Sequence, residues 1–177
     1  MKKIIKYRDS KNNFKIFIRK AKNGDGKAII EIYKIGLKRK FFIYNGRNKI
    51  SKKDIEKFDK NKGKDFSLLA FDLSNYKLVG ISGINMEDGR TRHRAELGWL
   101  VHPDYARKGI ATKLVREAIH EAEKRNIKRL EAEVATENIP SIKLARKFNF
   151  KIEGRRKKGI LLDDGRYIDT YIFGKIL

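Results

Sequence analysis

Apolar residues alternate with polar ones at Phe14, Ile16 and Ile18, a period of two that predicts a strand over 14–21. From Asp25 the period lengthens. Ile29, Ile32, Tyr33 and Gly36 fall on one face of a helix running to Leu37. The run Phe41-Phe42-Ile43-Tyr44 and the Asn45-Gly46 turn interrupt that pattern. Ser51, with Asp54 three residues on, then predicts a short capped helix. Stretches 66–73 and 78–86 read as two strands of an antiparallel hairpin joined at Ser74-Asn75. A strand over 96–101 sets Leu97, Trp99 and Val101 against Glu96, Gly98 and Leu100, and stops at Pro103. The helix expected at about 109–125 carries an apolar stripe of Ile110, Leu114, Ala118, Ile119 and Ala122, with Glu121 four residues ahead of Arg125. A strand at 129–135, a helix at about 140–148 and a hairpin turning at Asp163-Asp164-Gly165 complete the chain.

This order predicts one α/β domain over 1–177, a mixed and mostly antiparallel twisted sheet of about seven strands flanked by helices. The helix between 96–101 and 129–135 allows those two strands to run parallel. The 177 residues suit a single core, and 40% of them are hydrophobic. There is no cysteine, which excludes disulfides, thiolate metal sites and a cysteine nucleophile. No apolar run approaches the ~20 residues of a membrane helix. The basic start has no apolar stretch behind it, so the sequence is expected to be cytoplasmic, with no membrane partner.

Charge changes the picture. Against 22 acidic residues stand 44 basic ones, a formal balance of +22. Residues 1–66 hold 22 basic and 7 acidic side chains, or +15; the remainder holds 22 and 15, or +7. Such a field attracts nucleic acid and acidic proteins, and the run Arg155-Arg156-Lys157-Lys158 adds to it. The abundance of Lys, Ile and Asn equally fits a compositional bias, and no aromatic residues interleave regularly with the cations to stack on bases.

The segment Val101-His102-Pro103-Asp104-Tyr105-Ala106-Arg107-Lys108-Gly109-Ile110-Ala111-Thr112 is where chemistry is expected. A strand ends, a loop with little bulk turns, and a long helix begins. The first-turn amides of a helix have no internal partners and its dipole favours an anion. Arg107 and Lys108 add cationic charge and Thr112 a hydroxyl, so the segment suits a pyrophosphate. It is not a P-loop, since the Gly-Lys-Ser/Thr ending is missing.

These pieces resemble the core of the Gcn5-related N-acetyltransferase (GNAT) superfamily. The resemblance rests on Glu96–Pro103, on Ala106–Ala111 in the place of a (Gln/Arg)-x-x-Gly-x-(Gly/Ala) loop, and on Glu133–Phe150. Weaker likenesses lie at 18–25 and 165–177. Three positions depart from the pattern. Ala106 replaces Gln or Arg, Ala145 replaces a Tyr that protonates the leaving thiolate, and Asn149 replaces a Gly before Phe150, where Asn best tolerates the left-handed turn.

The resemblance implies an acetyl-CoA-dependent N-acetyltransferase, with acetyl-CoA as acyl donor and no metal. Its acceptor would be a protein N-terminus, a lysine, an amino acid or a small amine. The donor's pyrophosphate would lie on Arg107, Lys108, Gly109, Ile110, Ala111 and Thr112. Its arm would lie in a split between the parallel strands, against backbone groups of Leu100 and Val101. Asn138 and Ser141 would also touch it, Asn138 through the cofactor or an active-site water. Glu96 is expected as a base or water-holding carboxylate, or else as an edge carboxylate paired with Arg92 or Arg94. Tyr171, and after it Tyr167, are the proton donors expected in the absence of a tyrosine at 145. Glu131 and Glu133 are expected to pair with cations, and His93 and His102 to be structural, with no metal spacing around them. Two further classes fit the sequence: a non-catalytic acyl-CoA-binding module, and a basic ribosome- or RNA-associated protein. A ribosomal or other nucleic-acid-associated target suits the charge, and a homodimer is compatible with it.

Overall fold

The computed structural model describes residues 5–9, 14–42 and 65–177. Eight strands and three α-helices follow in chain order. They are β1 (Ile5–Asp9), β2 (Phe14–Lys20), α1 (Gly26–Leu37), β3 (Phe66–Asp72), β4 (Leu78–Met86), β5 (Arg94–Val101), α2 (Ile110–Lys124), β6 (Arg129–Ala135), α3 (Ile139–Lys147), β7 (Lys151–Leu161) and β8 (Tyr167–Ile176). The helix expected at Ser51 lies outside the described residues.

All eight strands form one sheet in the order β1-β2-β3-β4-β5-β6-β8-β7. Every pairing is antiparallel except β5 with β6, so the expected mixed sheet with one parallel pair is present. The strand that the pattern did not single out is β1, which adds to the edge of β2. Tyr7 fixes it: its hydroxyl donates to Glu117 of α2 at 2.6 Å, and burial with that carboxylate pushes the phenol up to about 12.

Alternation along β5 divides the core. Ala95 and Leu97 face α2 and α3, buried with Ile110, Leu114, Ala118, Ile142 and Ala145. Leu100 faces the other way, buried with Ile29 and Ile32 of α1 and with Leu69, Phe71 and Ile81. Each helix therefore lies where its own stripe demands. Asn149, beyond the end of α3, takes φ +63°, the left-handed turn its position required.

Candidate active site

The parallel ladder between β5 and β6 is short. It runs Arg94–Arg129, Ala95–Leu130, Glu96–Glu131 and stops, although β5 continues to Val101 and β6 to Ala135. Beyond Glu96 the two strands part.

Hydrogen-bond parity shows which backbone groups face the gap. In an antiparallel pair alternate residues exchange both bonds, and those between turn their groups away. His102 N–H donates to Val79 O at 2.9 Å and Glu87 N–H to Arg94 O at 3.2 Å, so the even residues of β5 are the ones bonded to β4. Leu100, in register with Ile81, belongs to that set. Trp99 and Val101 do not, and their N–H and C=O groups point into the opening. On the far side, Thr136 N–H donates to Asp169 O and Leu177 N–H to Lys128 O, so the even residues of β6 bond to β8. Glu133 and Ala135 are thereby left facing the gap. The expectation for Leu100 is corrected here: its backbone is engaged with β4 and its side chain is buried on the α1 face, while Trp99 takes its place beside Val101.

Two helix N-termini stand at the parted end. A short 3-10 turn, Pro103–Tyr105, leads from β5 to α2, and Tyr105 Oη donates to Asp72 at 3.1 Å, tying the turn to the end of β3. Arg107 and Gly109 then take left-handed φ values of 61° and 71° on either side of Lys108. Alternating handedness of this kind turns successive N–H groups to one concave side. Gly109 caps α2 without any side-chain hydrogen bond, and the first helical bond is Lys113 N–H to Gly109 O. The amides of Ile110, Ala111 and Thr112 therefore precede the helical ladder, at the positive end of a 15-residue helix. Ile110 is anchored by its buried side chain. Arg107 is exposed. Lys108 instead places its ammonium 4.8 Å from the Tyr105 ring centroid.

At α3 the cap is Asn138, whose Oδ1 accepts from Ser141 N–H at 3.3 Å. The Ser141 hydroxyl in turn accepts from Trp99 Nε1 at 3.4 Å. Asn138, Ser141 and Trp99 thus meet at the mouth of the gap. Ala145, one turn further along α3, is buried in the core.

Glu96 is exposed on the α1 face of β5. Neither cation expected beside it is paired with it. Arg92 Nη1 donates to Gly89 O at 3.0 Å, and Arg94 pairs with Glu87 at 2.8 Å and Glu131 at 3.5 Å. Glu131 also holds Arg129 at 2.8 Å, and Glu133 pairs with Arg156 and accepts from Thr170, as befits carboxylates that structure the sheet. Tyr171 lies opposite Val134 of β6, its ring edge-on to Phe173 at 6.2 Å. Tyr167 is 56% exposed at the β7–β8 hairpin, its ring centroid 5.2 Å from the Lys158 ammonium. His102 is buried, and its Nδ1 accepts from Asp104 N–H at 3.3 Å. Among the described residues no group of three or more His, Cys, Asp or Glu is placed to hold a metal.

Sequence reasoning missed Arg39 and Lys40, which follow α1. Arg39 Nη1 donates to Val101 O at 3.2 Å, and Lys40 Nζ pairs with Glu137 at 2.9 Å. Nothing local to residues 38–42 signals contacts made so far along the chain.

Known proteins share this arrangement. An acetyltransferase of the GNAT family from Streptococcus pneumoniae superposes with TM-score 0.80 and 28% identity, covering 92% of this chain and 99% of its own. A Salmonella typhimurium protein assigned as an acetyltransferase and solved with its cofactor acetyl-CoA gives TM-score 0.80 at 22% identity over 92% and 94% of the two chains. In sequence, the L-amino acid N-acetyltransferase AaaT of Escherichia coli (strain K12) is 34% identical over 88 residues, 49% of this chain and 54% of the relative. The chain spans about half the length of the curated relatives it matches. The sequence profile of the Acetyltransferase (GNAT) family matches residues 30–150, a range that runs from α1 through the parted strands to the end of α3. The protein that parts β5 from β6 and sets two helix N-termini at their ends belongs to that family.

Proposed function

We propose that the protein is an acetyl-CoA-dependent N-acetyltransferase that moves an acetyl group to a primary amine by direct attack in a ternary complex. The observation that carries this reading is the gap itself. It combines backbone donors and acceptors of Trp99, Val101, Glu133 and Ala135 along an extended opening with three uncapped amides at its end. An amide-bearing pantetheine arm and a pyrophosphate match those two donor sets, and a relative in fold was solved with acetyl-CoA.

Acetyl-CoA supplies an activated acetyl thioester. The chain supplies the rest. Ile110, Ala111 and Thr112 hold phosphate oxygens through their amides, and Arg107 adds charge. A backbone N–H of Trp99 or Val101 serves as donor to the acetyl oxygen, where charge develops as the amine attacks. Asn138 uses its oxygen to cap α3, so its Nδ2 donors are the part left for a ligand or water. Glu96 accepts the proton of the amine, directly or through water. The thiolate receives its proton from Tyr171 or leaves as the anion, since a thiol of cysteine-like acidity tolerates that.

Ala145 keeps a second reading in play, an acyl-CoA-binding module without turnover, because a buried alanine replaces the expected hydroxyl. The nucleic-acid reading is weakened at its local feature. Arg155 and Lys157 pair with Asp169 at 2.8 and 3.2 Å, and Arg156 with Glu133, so two carboxylates of the sheet offset half of that run's four positive charges. The deciding experiment is thiol release from acetyl-CoA with a panel of amines. Turnover establishes the transferase. Tight acetyl-CoA binding by calorimetry with no turnover establishes the binding module.

A further inference from the structure

The turn after α1 is held against the end of β5 by its own bonds. Arg39 N–H donates to Gly36 O at 2.8 Å and Phe42 N–H to Arg39 O at 3.2 Å. Gly36 permits the close seat: a Cβ there would meet Leu100 Cδ2 at 2.9 Å and the Phe42 ring at 3.0 Å. From this seat two consecutive side chains reach both parted strands. Arg39 binds the carbonyl of Val101, the last residue of β5. Lys40 binds Glu137, just past β6.

Two cations near this turn are matched by carboxylates. Lys40 has Glu137, and Arg166 has Asp164 at 2.8 Å. Arg39 is exposed; among the described residues its side chain bonds to a neutral carbonyl and no carboxylate pairs with it. A guanidinium presents five donors in a planar fork that fits a carboxylate through two parallel bonds. One carbonyl leaves most of that capacity open to whatever occupies the cleft.

We propose that Arg39 is a specificity-determining residue whose guanidinium holds the carboxylate of a free α-amino acid acceptor. The inference rests on the transferase reading and narrows its acceptor. In an α-amino acid one carbon separates the reacting nitrogen from the carboxylate, so the cation must stand close to the acetyl group. Val101 stands two residues, about 7 Å along the strand, from Trp99, the next residue whose backbone opens on the gap. Lysine side chains, protein N-termini and simple amines have no carboxylate at that spacing.

The test compares L-leucine, L-phenylalanine and L-methionine with their amides, as kcat/KM by thiol release, in the wild type, Arg39→Gln and Arg39→Lys. The ratio of acid to amide for each enzyme cancels the different basicities of the two amines. Arg39→Gln should lower that ratio about tenfold or more, the value of a charged hydrogen bond. Arg39→Lys should restore part of it, and KM for acetyl-CoA should stay within about twofold. An unchanged ratio overturns the inference and leaves the transferase standing. A raised acetyl-CoA KM with an unchanged ratio also overturns it, by assigning Arg39 to the donor. Absence of thiol release with every acid, amide and amine overturns the transferase reading and this inference together.

Discussion

The indole of Trp99 on β5 donates to the hydroxyl of Ser141 on α3, at 3.4 Å, on the side of the sheet where β5 and β6 have separated. Each partner is fixed from another direction. Trp99 is fixed by the pairing of its strand with Ser82 on β4, and Ser141 by the Asn138 cap. The bond therefore helps set the position of α3 across an opening that no strand pairing spans. Trp99→Phe and Ser141→Ala should each lower stability modestly. Their double-mutant cycle should show a coupling of about 0.5–1 kcal/mol, one neutral hydrogen bond. Both should raise KM for acetyl-CoA more than they lower kcat. Strictly additive melting shifts would mean that the contact does not couple the two elements.

Gly109 takes φ +71° at the start of α2, and a Cβ there would meet nothing within 4 Å. The cost of Gly109→Ala is then conformational, roughly 1–2 kcal/mol for an L-residue held left-handed, with no clash to relieve. Part of that cost should appear as weaker acetyl-CoA binding as the amides of 110–112 lose their arrangement. Arg107 offers the opposite experiment. It already occupies φ +61°, so Arg107→Gly relaxes the backbone while removing a charge. It should melt no lower than the wild type, yet bind acetyl-CoA more weakly and with less dependence on salt. Calorimetry at two ionic strengths measures both effects. An unaltered salt dependence would place Arg107 away from the phosphates.

Much of the fold was legible because period-two and helical patterns are local, and the helix between 96–101 and 129–135 allowed their parallel pairing. The loop at 106–112 was legible for the same reason: its small residues and cations are contiguous. Three things were not. β1 offers only Ile5 and Tyr7 as alternating apolar positions, too short a pattern to stand out, and Tyr7 anchors it by reaching Glu117, 110 residues away. Whether Leu100 or Trp99 faces the gap depends on register with β4, which side-chain pattern does not encode. Arg39 meets Val101 across 62 residues, through a seat that Gly36 makes available.

Acidification should act on the site through His102, which ends the strand before the loop. Burial, then the charge of Lys77, pulls its imidazole below the ordinary 6.5, and Asp104 only partly opposes this. The folded state therefore prefers neutral His102, whose Nδ1 must stay unprotonated to accept from Asp104 N–H. Above 6.5 its contribution to stability is fully present; it is lost as pH falls toward the lower folded value. Asp72 acts in a separate, more acidic window. Its burial raises the carboxyl, but bonds from Ser74 and Tyr105 and the charge of Lys108 outweigh that and leave it below 3.8, so its share is lost only as pH falls through that lower value. Thermal melts between about pH 5 and 7 should fall with acidity in the wild type. His102→Asn, which keeps a side-chain acceptor without a titrating group, should flatten that slope. Equal slopes would show that His102 protonates as freely folded as unfolded.

On the proposed reading, Glu96 is the carboxylate that takes a proton from the acceptor. It is exposed on the face of β5 shared with α1 and the Arg39 turn, and Arg92 and Arg94 are both engaged elsewhere. The demand on it depends on the amine. A side-chain or alkylamine near pKa 10.4 is neutral in only about four molecules in ten thousand at pH 7. The α-amine of a peptide, near 7.7–8.0, is about a tenth free, and that of a free amino acid, raised by its own carboxylate, lies between the two. Glu96→Gln should therefore lower kcat/KM for an alkylamine about a hundredfold at pH 7. The deficit should shrink as pH rises and solvent removes the proton instead. For an α-amine the deficit should be smaller and close sooner. Profiles for the two enzymes that run parallel from pH 7 upward, with any acceptor, would show that Glu96 only solvates the sheet. The proton would then leave through water held at the Asn138 amide.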